Sequence, residues 1–427
     1  MNGAPRSQGR TAVTGAVMSL SPDTAWHAVP AAVVESPHLL TGVAVAASGE
    51  IWVVGNVGQQ PLAARWDGSA WTLPPGPPED PALVGAGLQG VALFPGDARP
   101  APDASRPGAG ATPSDPTGAG TPSADTTSPA GPPPGLRVLP SPTDGRDDRF
   151  NGGAERTRRP ALRVVPGAEP AGPRAVAVGG GYDRVAGTEV PIIRHWDGRA
   201  WTAWESWGGP GLDSGYVLTD VAAVGADEAW AVGHGFPWGT PAGPVALRWA
   251  DGGWRPAPLP KIAKGKLLAV AAHGPDEVWA VGADDRSGLI LRYDGAEWRR
   301  AASPATRFPL TDVAVCPSGE AWAVGRDHVL RWDGRRWRRV KAPVAAANTV
   351  TALSPEEVWV AGGRGELARF DGRRWETMSA PQPFGTAAVW LASAASGPGA
   401  WLVGTRQVTR AGAPDDARTI PVQIRES

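Results

Sequence analysis

A single cysteine, Cys316, stands in 427 residues. The chain can therefore form no intrachain disulfide and no cysteine zinc site. Cys316 falls in the apolar run VAVC and reads as a small buried residue. Long apolar runs are missing as well, since nothing approaches the ~20 apolar residues of a membrane helix. No HxH, HExxH, CxxC, GxSxG or GxxxxGK[ST] pattern occurs, so metal, nucleophile-elbow and phosphate-loop chemistry have no support in sequence. A formal net charge of −1 removes the whole-molecule field that would draw nucleic acid or a membrane surface. The N-terminal stretch MNGAPRSQGRTAVTGAVMSLSP is interrupted by Thr, Gly and Ser, which makes a poor secretory signal, and a cytoplasmic location is the expectation. Lysine is scarce beside arginine. Tyrosine (3) and phenylalanine (6) are scarce beside 21 tryptophans, an imbalance that points to a repeated tryptophan-bearing unit.

Two phrases carry that repeat. The first reads EIWVVG (50–55), EAWAVG (228–233), EVWAVG (277–282), EAWAVG (320–325) and EVWVAG (357–362), with GAWLVG (399–404) and a degenerate RAVAVGG (174–180) that has Val176 in place of Trp. The second reads RWDGSAW (65–71), HWDGRAW (195–201), RWADGGW (248–254), RYDGAEW (292–298), RWDGRRW (331–337) and RFDGRRW (369–375). Apolar runs such as LTGVAVAA (40–47), LTDVAAV (218–224) and LTDVAV (310–315) precede the first phrase. Each unit thus holds four short β-favouring segments punctuated by Gly, Pro, Asp and Ser. The Asp-Gly pair is a hairpin signal, because Gly supplies the positive φ of a tight turn. Spacings of about 40 to 55 residues match a four-stranded propeller blade. The motif tryptophans read as packing between blades. The glutamates before each first phrase (Glu50, Glu228, Glu277, Glu320, Glu357) read as framework accepting turn hydrogen bonds.

Seven first phrases and six second ones predict an all-β, seven-bladed β-propeller of four-stranded antiparallel blades, closed by an N-terminal strand and carrying a disordered insertion in blade 2. The last unit has a third-strand candidate, RQVTR (406–410), but no second phrase. SPDTAWHAVP (21–30), centred on Trp26, looks like the missing fourth segment, and the tail ARTIPVQI (417–424) is its rival. Ring closure removes exposed sheet edges. Residues 95–160 are Pro, Gly, Ala, Ser and Thr with almost no large apolar side chain, a composition that cannot offset chain entropy. The expected organisation is a flexible 1–18, a closing strand with blade 1 and the first strand of blade 2 over 19–94, the insertion at 95–160, the remaining blades over 161–416 and a tail at 417–427.

On these phrases the chain resembles bacterial tandem WAVG/RWDG-repeat β-propeller proteins, within the WD40/YVTN/BNR-like superfamily. The resemblance covers nearly everything but the insertion and the termini. It implies a fold and no activity. The sialidase Asp-box also sets Asp, Gly and Trp at a strand turn, but its Ser and spacing are absent here. Of the three tyrosines, Tyr182, Tyr216 and Tyr293, the last replaces a framework Trp.

Function is sought where the sequence escapes its own repeat. Loops between second and third strands, and between blades, share one end of a propeller, here termed the loop face. The candidates there are His234, Trp238, Asp285, Arg286, Arg326, Asp327, His328 and Arg364, with Asn56, Gln59, Gln60, Tyr182, Asp183, Arg184, Phe236, Asp284 and Arg406 beside them. His195 replaces the usual Arg before WDG and reads as framework. Trp204, Trp207 and Trp238 lie outside the motifs and could line a ligand site. Blades 4 to 6 place arginine on their outer strands (AEWRRA, RRWRRVK, RRWET), and Arg335, Arg336, Arg338 and Arg339 form a candidate basic rim, which otherwise reads as a solvated edge. The leading expectation is a non-catalytic scaffold binding a protein or small ligand through the loop face around the channel. It needs no cofactor or metal, and nucleic acid and membrane are disfavoured as partners. The alternative is a propeller-type lyase or hydrolase at the channel mouth, with His328 or His234 as general base.

Overall fold

The computed structural model describes residues 38–77, 80–95, 174–203, 215–236, 243–262, 264–285, 287–379, 388–396, 399–408 and 416–424. All belong to one compact unit, and a second unit, 98–168, lies outside the described residues. Each blade is an antiparallel meander whose first strand is innermost. The strands of blade 4 are Gly265–Gly274, Glu277–Asp284, Gly288–Tyr293 and Trp298–Arg300. The other four-stranded sheets span 38–72, 83–203, 216–256, 312–340 and 347–379. No helix is long and apolar enough to cross a membrane.

The expectation of a seven-bladed ring is corrected to six four-stranded blades. Among the described residues six sheets have four strands, and the last has three: Ala388–Ser396, Gly399–Val408 and Asp416–Ile424. Residues 406–408, expected in a third strand, end the second one. The C-terminal tail takes the third place, pairing from Val408↔Asp416 to Ala400↔Ile424. The N-terminal closing strand with Trp26 lies outside the described residues. The last sheet meets blade 1 through side chains, with Trp401 and Val403 clustered against Leu62 and Trp71. Seven first phrases overcount the blades because only six of them are followed by the second phrase, which supplies the turn into the fourth strand. In blade 2 the first strand, Leu83–Leu93, pairs with the second, Ala175–Asp183, and the expected insertion at 95–160 falls between them. Residues 96–173 lie outside the described residues.

The first phrase forms the second strand, and its tryptophan crosses to the next blade. Trp279 of blade 4 meets Trp332 at 5.0 Å, tilted, and Trp337 edge-on at 5.1 Å and 90°, both from blade 5. The same trio recurs as Trp52 with Trp196 and Trp201, Trp230 with Tyr293 and Trp298, and Trp322 with Phe370 and Trp375. A ring of this size buries about 150–250 Å², worth about 4–6 kcal/mol of transfer free energy at ~25 cal/mol/Å².

The recurrent glutamate does not serve the turn through its side chain, as was expected. It pairs with the arginine of the second phrase, as in Arg292–Glu277 at 2.9 Å and Arg331–Glu320 at 2.7 Å. That arginine lies directly opposite the tryptophan in register, Trp279↔Arg292. Its guanidinium sits over the ring, 5.2 Å from the Trp279 centroid. Glu, Trp and Arg therefore form one module, the carboxylate steering the cation onto the indole face.

Blade 2 replaces all three members together. Arg174 stands at the glutamate position and Val176 at the tryptophan position. His195 is paired in register with Val176, where other blades have arginine. The imidazole takes over the missing ring's contacts, stacking on Trp249 at 4.5 Å and accepting the Trp254 indole N–H at Nε2, 3.0 Å. Burial, aided by the Arg174 charge, lowers its pKa to about 4, so the acceptor stays neutral. Arg174 turns to the next blade and pairs with Asp227 at 2.5 Å.

A bulge in the inner strand positions the channel wall. In blade 4 the register slips between Leu267 and Ala269, pressing the Lys266 carbonyl against the second strand. A Cβ at Gly282 would stand 2.0 Å from that oxygen, which is why WAVG ends in glycine. The second phrase closes on an Asx turn. Asp333 accepts the Arg335 and Arg336 N–H groups, both at 3.0 Å, and Gly334 takes φ 86°.

Blade 2 yields a direct test. His195→Arg alone sets a second guanidinium beside Arg174 and strips Trp254 of its acceptor, and should cost about 2–4 kcal/mol in urea unfolding. The triple change Arg174→Glu, Val176→Trp, His195→Arg rebuilds the module and should recover most of that loss through coupling. A triple variant no more stable than the sum of its parts would refute the module.

Candidate functional site

Three surfaces compete for function: the bore of the ring, the loop face and the arginine-bearing outer edge. The bore holds a cavity of about 460 Å³ lined by inner strands of all seven sheets. It runs from the bulges toward the turn end of the strands, away from the loop face. Blades 3 and 5 place aspartate just after the bulge, where the other inner strands have Gly42, Gly90, Ala269, Thr349 or Ala392. Asp220 accepts the Val221 N–H and, from the next blade, the Val270 N–H, both at 2.8 Å. Asp312 accepts the Val313 N–H at 2.8 Å, the Val350 N–H at 2.9 Å and the Thr349 hydroxyl at 2.6 Å. Thr349 continues to Ser393 of the last sheet at 2.7 Å. Threonines one residue earlier bracket neighbouring blades too: the Thr219 hydroxyl is shared between the Val232 and Leu267 carbonyls. The channel polar groups are thus spent on joining blades. Burial raises the Asp220 pKa to about 7, helped by the Asp312 charge, and raises that of Asp312 to about 6. These two aspartates were missed in sequence, although a carboxylate inside the run LTDVA was the available signal.

On the loop face the structure separates the candidates. His328 is 3% exposed. Its Nε2 accepts the Arg307 N–H at 2.9 Å, the Asp327 carboxylate lies 2.9 Å from the same nitrogen, and its Nδ1 has no partner among the described residues. Burial lowers its pKa. His234, two blades away, packs on Phe236 at 5.6 Å and has its pKa lowered by burial and by Lys266. Its Nδ1 is likewise buried without a partner. His328 is therefore set into the wall, while His234 is half-buried. Arg326, Asp327 and Asp285 are exposed. The Arg326 guanidinium lies 5.0 Å from the Phe308 centroid, and its carbonyl accepts the Ala347 N–H. Trp204, Trp207, Trp238 and Arg286 lie outside the described residues, as does the Arg364 side chain.

The blade 2 hairpin, whose Tyr182, Asp183 and Arg184 the sequence placed on the loop face, adds Val185, which it did not single out. Val185 is 87% exposed and Tyr182 43%. The hairpin is held by Asp183, whose carboxylate accepts the Val185 and Ala186 N–H groups at 2.7 and 3.0 Å.

The rim arginines divide. Arg338 pairs with Asp333 at 2.6 Å and Arg339 donates to the Ala305 carbonyl at 2.6 Å. Arg335 and Arg336 line a groove of about 290 Å³ between blades 4 and 5. Among the described residues no group of three or more His, Cys, Asp or Glu side chains is placed to hold a metal ion.

No protein-family model matches the chain, and no curated protein matches it. Solved structures do. The RRP9 WD40 repeats align with a TM-score of 0.52 at 9% identity, covering 92% of this chain and 96% of that one. U3-55K aligns at 0.50 and 8% identity, covering 87% and 89%. YCF48 from Cyanidioschyzon merolae aligns at 0.49 and 13% identity, covering 92% and 97%. The fold they share with this chain is the β-propeller. At these identities the likeness reaches the fold alone, and the bacterial tandem-repeat family stays a resemblance of motifs.

The channel aspartates set a pH dependence. A folded pKa raised above the unfolded value of about 3.9 means that the folded chain holds protons the unfolded chain releases. The stability this contributes is full below about pH 4 and is lost as pH rises through about 7 for Asp220. Asp220→Asn should therefore flatten the loss of stability between about pH 4 and 7, by about 2–4 kcal/mol. Thermal melts of both proteins across that range check it, and parallel curves would contradict the assignment.

Proposed function

We propose that this propeller is a non-catalytic scaffold that holds a protein partner on its loop face. The observation that carries this reading is the blade 2 hairpin, where Val185 and Tyr182 stand in solvent on an Asx-pinned turn. Among the described residues only Leu73 joins them as an exposed large apolar side chain. An aromatic and an aliphatic side chain on a pre-ordered turn cost little entropy to dock, which is what an interface anchor needs. Arg326, Asp327 and Asp285, on blades 4 and 5, add exposed charges to the same face. The burial of His328 supports binding over turnover at that position, since the imidazole is 3% exposed and its Nε2 already accepts the Arg307 N–H.

A photo-crosslinking amino acid placed at position 185, in a cell extract of the source, should yield a discrete adduct with one protein. Its yield should fall by roughly tenfold with Tyr182→Ser or Arg326→Glu, in line with hot-spot losses of about 1–3 kcal/mol. The same probe at position 69, on the turn face, should give no such adduct. Equal adducts at both positions, or none at 185, would sink the loop-face reading.

A further inference from the structure

The outer edge of blades 4 to 6 is a different surface, and its groove between blades 4 and 5 has a chemistry the scaffold reading does not use. Arg299 and Arg300 stand on the outermost strand of blade 4, and Arg335 and Arg336 on the last turn of blade 5. All four are exposed and line one cavity with Asp294 as its only carboxylate. Neighbouring acids hold the blade 4 pair: Arg299 pairs with Glu297 at 2.6 Å and with Asp294 at 3.4 Å, and Arg300 with Asp284 at 2.5 Å. Arg335 and Arg336 make no side-chain hydrogen bond or ion pair among the described residues. Their backbone N–H groups are pinned by Asp333, so two free guanidinium forks spring from a fixed turn. The outermost strand of blade 5, Trp337–Val340, runs alongside with one edge unpaired in its sheet.

We infer that the groove between blades 4 and 5 docks an acidic segment of a partner protein, its aspartate or glutamate carboxylates received by Arg299, Arg300, Arg335 and Arg336. Charge complementarity commits the site to an anion, and planar guanidinium forks match carboxylate oxygens in pairs. Two observations favour a short acidic peptide over a nucleic acid strand. Bases bind by stacking on exposed rings, and the rings here are sealed: Trp279 is 0% exposed and Trp337 3%, while Arg292 covers the half-buried Trp332. The next groove, between blades 3 and 4, sets four carboxylates, Asp227, Glu228, Asp251 and Glu297, against the two guanidiniums of Arg248 and Arg255, so the basic lining that a long polyanion needs does not continue in that direction. An extended peptide can also pair with the open edge of the Trp337–Val340 strand, by the strand addition that exposed sheet edges permit.

The site is separate from the loop face, so the two readings fail independently. Fluorescence anisotropy of a labelled decaglutamate against the full chain should show saturable binding at low salt. It should weaken roughly tenfold or more when Arg335→Glu and Arg336→Glu are combined, and fade as salt rises from about 0.05 to about 0.5 M. Arg335→Ala with Arg336→Ala adds no new charge and should weaken binding in the same direction if the glutamate variant does not fold. Labelled oligothymidylate of equal length should bind more weakly than the peptide. Absence of saturable peptide binding, binding untouched by either double variant in a protein of unchanged melting temperature, or tighter binding of the oligothymidylate would each overturn the proposal.

Discussion

The ring depends on one contact, a tryptophan from the second strand of one blade lying against two rings of the next. No strand pairing joins neighbouring sheets, and the backbone hydrogen bonds between blades are isolated ones, such as Leu310 N–H to the Gly282 carbonyl and Ala347 N–H to the Arg326 carbonyl, so cohesion between blades rests mainly on side chains. The hydrophobic clusters follow this division. Trp279, Val281 and Ile290 of blade 4 group with Val313, Ala323 and Trp337 of blade 5. Trp322, Val324 and Val329 of blade 5 group with Val358, Ala368 and Phe370 of blade 6. The core is thus a set of interfaces, as expected of an architecture whose units cannot bury their own faces. The Glu–Arg pair over each tryptophan is half-exposed, and exposed ion pairs contribute little by themselves. Its value is geometric, since it fixes the guanidinium over the ring and keeps the indole in the orientation the next blade requires.

Toward the axis the packing problem changes. Inner strands converge, and bulges turn threonine hydroxyls and aspartate carboxylates onto neighbouring backbone groups. The bore is therefore narrow and polar, with its polar groups already bound. For this reason we place the proposed partner site at the blade 2 hairpin and the proposed peptide site in the groove of blades 4 and 5, and neither at the centre of the ring. Both lie where the repeat lapses. Blade 2 has surrendered Glu, Trp and Arg together, and blades 4 to 6 have exchanged small outer-strand residues for arginine.

Much of the blade was legible in sequence because its signals are local. The Asp-Gly turn, the β-favouring runs and the four-segment order all act over a few residues, and each stands where it was expected. What failed was long-range. The glutamate's partner lies eleven to twenty residues away on another strand, so spacing alone assigned it to the turn. His195 was read as framework, which is its place, but its tie to Trp254 in the next blade had no local signature. Asp220 and Asp312 were passed over because they sit in runs that look uniformly apolar. The blade count failed for a related reason: six second phrases mark six complete blades, and nothing local says which terminus joins the last sheet. Among the loop-face candidates, exposure separated Arg326, Asp327 and Asp285 from the buried His328, a distinction that residue type cannot make.

The central claim is that aromatic contacts between blades, more than the blades themselves, hold the fold together. A double-mutant cycle on Trp279 and Trp337, by urea unfolding of the single variants Trp279→Leu and Trp337→Leu and of the pair, measures it most directly. The account predicts a coupling energy of about 0.5–1.5 kcal/mol for this edge-on pair. Strictly additive losses would contradict it.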